Sequence, residues 1–302
     1  MRVIFLGTSA SIPTKSRSLP SIMIIRDGEQ FLFDCGEGTQ RQVVKAGLGL
    51  RKRLKIFITH MHADHVLGLA GILMSLSLAG RQAPLEVYGP SKLQPFIEHV
   101  KELFNFNPSF DVMVHRVSEG TVYQGRGFKI VAFKVKHVAE SYGYALVEDL
   151  RPGRFDSKKA KELGIPKGPL WKALQEGKTV VIGGREIKPE DVLGPPRRGL
   201  KIVYSGDTAP TRDVVEASKS ADLLIHEATF DDTLQDRATN ELHTTAGQAA
   251  SIALEANVKR LALTHISPRY EDPSLLLFQA KKIFENTIIA EDFMSIELKW
   301  TD

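Results

Sequence analysis

Only one cysteine, Cys35, occurs in the 302 residues. No disulfide can therefore form within the chain, and a reducing compartment is expected. No apolar run approaches the ~20 residues that a membrane-spanning helix needs, and the N-terminal MRVIFLGTSAS lacks the pattern of a secretory signal. These absences predict a soluble cytoplasmic protein with no membrane association. Asn and Gln are scarce beside 25% charged residues, a composition suited to a heat-adapted source. A hydrophobic content of 42% is ordinary for a globular protein, enough for one large α/β domain or two smaller ones.

The charge is unevenly spread. Residues 151–198 hold twelve Lys and Arg against six Asp and Glu, an excess of +6 in a chain whose whole net charge is +4. A positive stripe of this kind suits a polyanionic partner, although a solvated insertion with no partner has the same composition. The segment also holds six of the fifteen prolines and seven of the glycines. Within it the pattern predicts a helix from Asp156 through Lys161, a second from Pro169 to a stop at Gly177, and a hairpin over Thr179–Ile187 turning at Gly183-Gly184. So long a connection is functional or disordered, and these capped elements favour a formed arm projecting from the core.

Against this background Thr59-His60-Met61-His62-Ala63-Asp64-His65 stands out. Imidazoles and a carboxylate are costly to desolvate unless something binds them, and a divalent cation is the usual partner. In an extended segment His60 and His62 project to one side, while Asp64 and His65 open the helix-like run Asp64–Ala79. Two pairs of ligands aimed in different directions suit two adjacent ions better than one.

Several other apolar runs end on polar residues of the same kind. Phe31–Phe33 leads to Asp34, Ile130–Val135 to His137, Lys201–Tyr204 to Asp207, Leu223–Ile225 to His226-Glu227, and Leu261–Leu263 to His265. Ligand-type residues at strand ends are where α/β folds build sites. Helices are expected over Glu37–Ala46, Ser91–Phe104, Thr211–Ser218, Thr244–Ala256 and Pro273–Phe284, and a strand-rich meander over Asp111–Val135. The expected architecture is an α/β sheet sandwich flanked by helices.

In this arrangement His60, His62 and His137 can form one nitrogen-rich metal site, and Asp64, His65 and His265 a second. Asp207 is the natural bridge, since a carboxylate can offer one oxygen to each ion. An N/O donor set without thiolate suits Zn²⁺, with Mn²⁺ or Fe as alternatives. Two ions about 3.5–4 Å apart would clamp a phosphodiester and supply an attacking hydroxide. Asp64 is placed to act as general base. His243, oriented by Glu227, is the candidate acid for a leaving alkoxide, although a polar pair satisfying the core has the same appearance. The basic loops Thr14-Lys15-Ser16-Arg17 and Ser267-Pro268-Arg269-Tyr270 could meet a phosphate and a base. His99 and His115, without companions, read as structural or surface residues.

Taken together these motifs resemble the ribonuclease Z family of metallo-β-lactamase-fold hydrolases. The resemblance spans essentially the whole chain as a single domain. It rests on the seven ligand positions in order, on Phe33–Gln40, on His226-Glu227-Ala228-Thr229 and His243-Thr244-Thr245, and most specifically on Leu163-Gly164-Ile165-Pro166 and Gly168-Pro169-Leu170 in the insert. It implies an αββα sandwich, two zinc ions per subunit, and removal of the 3′ trailer from precursor tRNA to leave a 3′-hydroxyl. Segment 151–198 would be a flexible arm gripping the tRNA elbow, with Gly164 and Pro166 among its contacts. Homodimers in which the arm of one subunit serves the site of the other are also implied. Asp64 and His243 match the family's base and acid. Ser18 departs from the pattern, standing where the family often has Asn. The ligands alone also admit a hydrolase of small phosphodiesters or thioesters, or a non-catalytic RNA-binding scaffold; the arm argues against the first and the acid–base candidates against the second.

Overall fold

The apolar runs become strands, and the strands form two sheets. The computed structural model describes residues 1–50 and 52–300. Among the described residues the first sheet has seven strands, ordered Ser295–Glu297, Arg2–Gly7, Ser21–Arg26, Glu29–Phe33, Leu54–Phe57, Leu85–Gly89, Val112–Arg116. Neighbours are antiparallel up to Glu29–Phe33 and parallel beyond it. The second seven-stranded sheet runs Thr287–Ile289, Leu261–Thr264, Leu223–Glu227, Lys201–Tyr204, Tyr142–Glu148, Phe128–Lys134, Gly120–Gly125. Its first four strands are parallel, and its last two form an antiparallel hairpin.

Side chains alternate along each strand, so each inner strand serves two layers. Phe31, Phe33 and Phe57 of the first sheet face Tyr144, Ile202 and Tyr204 of the second in one buried cluster. The Phe33 and Phe57 rings lie 5.7 and 5.5 Å from that of Tyr144. Leu32 and Ile56 point the other way, beneath Leu69, Ile72 and Leu73 of the helix Gly68–Leu78 and Ile97 of the helix Leu93–Leu103. On the opposite face the helix Ala246–Glu255 buries Ala249, Ala250 and Ala253 against Leu223–Glu227 and Leu261–Thr264. This is the expected αββα sandwich. The carboxyl ends of its parallel strands lead to His60, Asp207 and His265, the usual place for a site in an open α/β sheet.

Two departures from the sequence reading have local causes. The helix expected over Asp64–Ala79 is broken into Ala63–Val66 and Gly68–Leu78. The Gly68 amide donates to the Cys35 carbonyl (2.9 Å) instead of the carbonyl four residues back, and a side chain at 68 would strike the Gly36 carbonyl oxygen at 1.9 Å. The helix Gln235–Glu241 is additional to those expected from the sequence. It ends at Leu242 in the left-handed region (φ 57°), and the His243 amide closes onto the Ala238 carbonyl (2.8 Å).

Residues 147–199 form a compact unit separate from the rest. Asp156 caps the helix Ser157–Glu162 by accepting from the Lys158 and Lys159 amides (both 2.9 Å), a cap worth about 1 kcal/mol. Pro169 opens the helix Pro169–Gln175, and Gly183 and Gly184 turn the hairpin Val180–Ile182/Arg185–Ile187 at positive φ. Ala160, Ile165, Leu174, Val180, Ile187 and Val192 close a small core of their own. Trp171 lies beside it, and its Nε1 donates to the Ile165 carbonyl (3.0 Å). Among the described residues no helix is long and apolar enough to cross a membrane.

Candidate metal centre and acid–base pair

The seven ligand candidates meet in space. The ligand atoms of His60, His62, His137 and Asp207 lie within 4.8 Å of one another, as do those of Asp64, His65 and His265. Asp207 joins the two groups: its Oδ2 is 3.2 Å from His65 Nε2, 3.3 Å from His265 Nε2, 3.8 Å from His60 Nε2 and 3.9 Å from His137 Nε2. Asp64 Oδ2 lies 3.5 Å from His265 Nε2 and 3.7 Å from His65 Nε2, and accepts the Ser11 amide at 2.9 Å.

The donor set fits a divalent cation. Among the described residues His60 Nε2, His65 Nε2, His265 Nε2 and Asp207 Oδ1 are buried without a hydrogen-bond partner. Such atoms are costly unless something binds them. The far nitrogen of each ring is meanwhile held. His60 Nδ1 meets Thr59 Oγ1 (3.0 Å), His65 Nδ1 meets Asp34 Oδ2 (2.7 Å), His265 Nδ1 meets Thr229 Oγ1 (2.9 Å) and His137 Nδ1 meets the Leu242 carbonyl (3.1 Å). A ring donating from Nδ1 presents its Nε2 lone pair to a metal. His62 reverses this, with Nδ1 3.1 Å from His137 Nε2.

Without a cation the site balances its own charges: burial lowers His65, but Asp207 and Asp34 hold it well above the usual imidazole range, with a proton that a bound cation would displace. Burial pushes the Asp207 carboxyl up, but His265 and His65 hold it well below the usual range. Burial also raises Asp64, yet its contact with His265 and the charge of His65 keep it ionised. His60 is pushed well down, first by burial and then by the neighbouring His65, so it is neutral and ready to coordinate.

In the sequence Asp34 is marked only by its place at a strand end, and the structure makes it a hub. Fully buried, with φ 57°, it accepts from His65 Nδ1, the Thr59 amide (2.8 Å), Thr59 Oγ1 (2.9 Å) and the Tyr204 hydroxyl (2.8 Å). One carboxylate thus orients His65 directly and His60 through Thr59. Asp34→Asn, which puts an amide donor among these donors, is expected to weaken metal binding roughly 10–100-fold. Competition against a chelating dye measures this, and an unchanged affinity would refute the role.

Beside the ligands, His243 Nδ1 lies 2.8 Å from Glu227 Oε1. Glu227 is buried and fixed by the Thr208 amide (2.8 Å) and the Thr229 hydroxyl (2.6 Å). Burial pushes His243 down, but the adjacent Glu227 carboxylate raises it to about 9, so the ring is protonated at neutral pH. Its ring centre is 4.8 Å from His137 and 5.5 Å from His265. It also comes within coordinating reach of Asp207 and His265. His226 is not part of this group; it is buried with Nδ1 against the Glu227 carbonyl (2.7 Å).

The loop candidates divide. Lys15 is exposed. Arg17 is corrected: it is buried, and its Nη1 donates to Thr8 Oγ1 (2.7 Å) and the Ala290 carbonyl (2.6 Å), bracing the loop from within. Asp292 completes the brace by accepting from the Ser18 amide (2.7 Å), Thr8 Oγ1 (2.8 Å) and Gln42 Nε2 (2.9 Å). Arg269 is exposed over the Phe230 ring (4.9 Å), but Tyr270 has its hydroxyl tied to Asp231 (2.6 Å) and serves as a brace instead of a free stacking surface. Gly164 and Pro166 are exposed in the 147–199 unit, with Gly164 at φ 72°.

Fold and site together define a metal-dependent hydrolase of the metallo-β-lactamase fold. Residues 184–266 match the family described as Beta-lactamase superfamily domain, and residues 1–151 match Anti-Pycsar protein Apyc1. The chain is 46% identical over 301 residues to Ribonuclease Z of Methanosarcina acetivorans, covering 99% of both. It is 48% identical over 304 residues to Ribonuclease Z of Archaeoglobus fulgidus, covering 100% of this chain and 99% of that one. Among solved structures, human tRNase Z, short form, is similar with a TM-score of 0.72 and 31% identity, covering 99% of this chain and 100% of that one. The chain belongs to the ribonuclease Z family and is a metal-dependent endoribonuclease.

Proposed function

We propose that this chain removes the 3′ trailer from precursor tRNA, leaving a tRNA 3′-hydroxyl and a 5′-phosphate on the trailer. The observation that carries the reading is the set of buried, unpartnered donor atoms of His60, His65, His265 and Asp207 beside the fixed Glu227–His243 pair. His60, His62 and His137 would hold one Zn²⁺, Asp64, His65 and His265 a second, and Asp207 both; Mn²⁺ or Fe would suit the same N/O donors. Bound there, such a pair would lower the pKa of a water and stabilise charge on the phosphodiester. Asp64 then orients the attacking water and takes its proton. His243 gives its proton to the departing 3′-oxygen, while Glu227 keeps the ring charged and aimed.

Cleavage of a precursor tRNA with end-mapping of both products, with and without chelator, tests the reading; products ending elsewhere than at a 3′-hydroxyl would contradict it. His243→Ala should lower cleavage of RNA on the order of 10²–10⁴-fold, but that of a nitrophenyl phosphodiester far less, since nitrophenolate leaves without a proton. Equal losses on both substrates would remove the acid assignment.

The basic segment 151–198 is proposed as the exosite for the tRNA body, with Gly164 and Pro166 among its contacts and Lys15 and Arg269 nearer the cut. A homodimer is proposed as well. Leu78 (91% exposed), Leu103 (78%) and Phe104 (58%) leave apolar surface on the helices Gly68–Leu78 and Leu93–Leu103 and just beyond them, which a second copy would cover.

A further inference from the structure

Next to the metal centre lies a cavity of about 410 Å³ whose lining takes only His62 from the proposed ligands and acid–base pair. Three segments far apart in sequence build it. Met61 and His62 come from the ligand loop, Pro90 to Lys92 follow the strand Leu85–Gly89, and Val138 to Glu140 follow His137. His62 forms one wall and belongs to the metal centre at the same time, its Nδ1 3.1 Å from His137 Nε2. A phosphodiester lying across the centre therefore has this cavity as its neighbour.

The cavity is set before anything enters it. Glu140 Oε2 accepts from the Ser91 amide (2.7 Å) and the Ser91 hydroxyl (2.5 Å), and its Oε1 accepts from Arg116 Nη2 (2.8 Å). The Val138 amide donates to Ser141 Oγ (3.1 Å). The Ser91–Glu140 bonds fasten the 90–92 loop to the 138–140 loop, and together with Arg116 they occupy both oxygens of the one carboxylate in the lining. The remaining wall is largely apolar: Met61, Pro90, Val138 and Ala139, with Lys92 exposed at the rim.

We propose that this cavity is a nucleobase subsite, holding the unpaired base of a nucleotide flanking the scissile phosphate. A base has apolar faces that suit Met61, Pro90 and Val138, and thioethers pack well on aromatic rings. The Lys92 ammonium is placed for an adjoining phosphate. The size falls in the range of small-ligand pockets. Paired bases of a stem are stacked and cannot turn into such a cavity, so it reads the single-stranded junction where the cut falls. Seating one base beside His62 would fix which phosphate meets the metal centre. This inference rests on the proposed RNA substrate.

The test uses three precursor tRNAs: unmodified, abasic at the nucleotide 5′ of the cut, and abasic at the nucleotide 3′ of it. Wild-type protein is expected to cleave one of the abasic substrates about tenfold more slowly, measured as kcat/KM, with loss of the single cleavage position. Ala139→Trp, which fills the cavity, is expected to cost about the same on unmodified RNA and to show no further loss on that abasic substrate. Metal content and melting temperature check that this variant is folded and loaded. Equal wild-type cleavage of all three RNAs, or losses that multiply in the variant, would overturn the subsite. No cleavage of any of them would overturn the RNA-processing reading itself, and the subsite with it.

Discussion

Asp64→Ala is expected to lower kcat on precursor tRNA by about 10³-fold or more, while the dissociation constant for the RNA changes little. A general base alone contributes about 10²–10⁴-fold. Asp64 is expected to combine that role with metal binding: it lies 3.5 Å from His265 Nε2 and 3.7 Å from His65 Nε2, and its Oδ2 is aimed by the Ser11 amide. The RNA is expected to stay bound because, on the proposed reading, its phosphates would meet the exposed basic side chains of the 151–198 segment, which the substitution does not touch. Single-turnover cleavage with a filter-binding titration separates the two quantities, and metal analysis separates loss of the ion from loss of the base. Retention of kcat within tenfold of wild type would remove Asp64 from both roles.

Excising residues 152–196 behind a short glycine linker should have the opposite signature. The excision is feasible because the Arg151 and Arg197 backbones pair with each other (2.7 and 2.9 Å). Affinity for precursor tRNA is expected to fall on the order of 10²–10³-fold, and hydrolysis of a small phosphodiester largely to survive. Each phosphate neutralised by a Lys or Arg contributes close to one unit to the dependence of log K on log salt. The deleted variant should therefore also show a shallower salt dependence. Lys158, Lys159, Lys161 and Lys167 are exposed on this unit and carry much of the expected effect. Unchanged tRNA affinity and an unchanged slope would show that the RNA is held elsewhere.

The ligand candidates were legible because their chemistry is expensive out of place: His60, His62, His137, Asp207 and His265 each follow an apolar run that has no packing use for them. The helix starts at Asp156 and Pro169 were legible from capping rules that act within a few residues. What was not legible depends on contacts between distant segments. The break after Val66 follows from the approach of Gly68 to Cys35 and Gly36. Arg17 is basic and lies in a loop, but Thr8 and the Ala290 carbonyl draw it inside. Asp34 had a visible signal, its place at a strand end, but its partners Thr59, His65 and Tyr204 lie 25, 31 and 170 residues away. The cavity beside His62 likewise joins three segments and leaves no local mark.

The private core of residues 147–199 has an evolutionary consequence. Ala160, Leu174 and Val192 pack with one another and not in the sandwich clusters, so drift within this unit is tested against its own small set of neighbours. Substitutions in independent packing environments combine nearly additively. With the exosite role proposed above, a lineage could thus retune which RNA bodies it accepts without disturbing the proposed metal-binding imidazoles, and the two properties would be free to diverge at different rates.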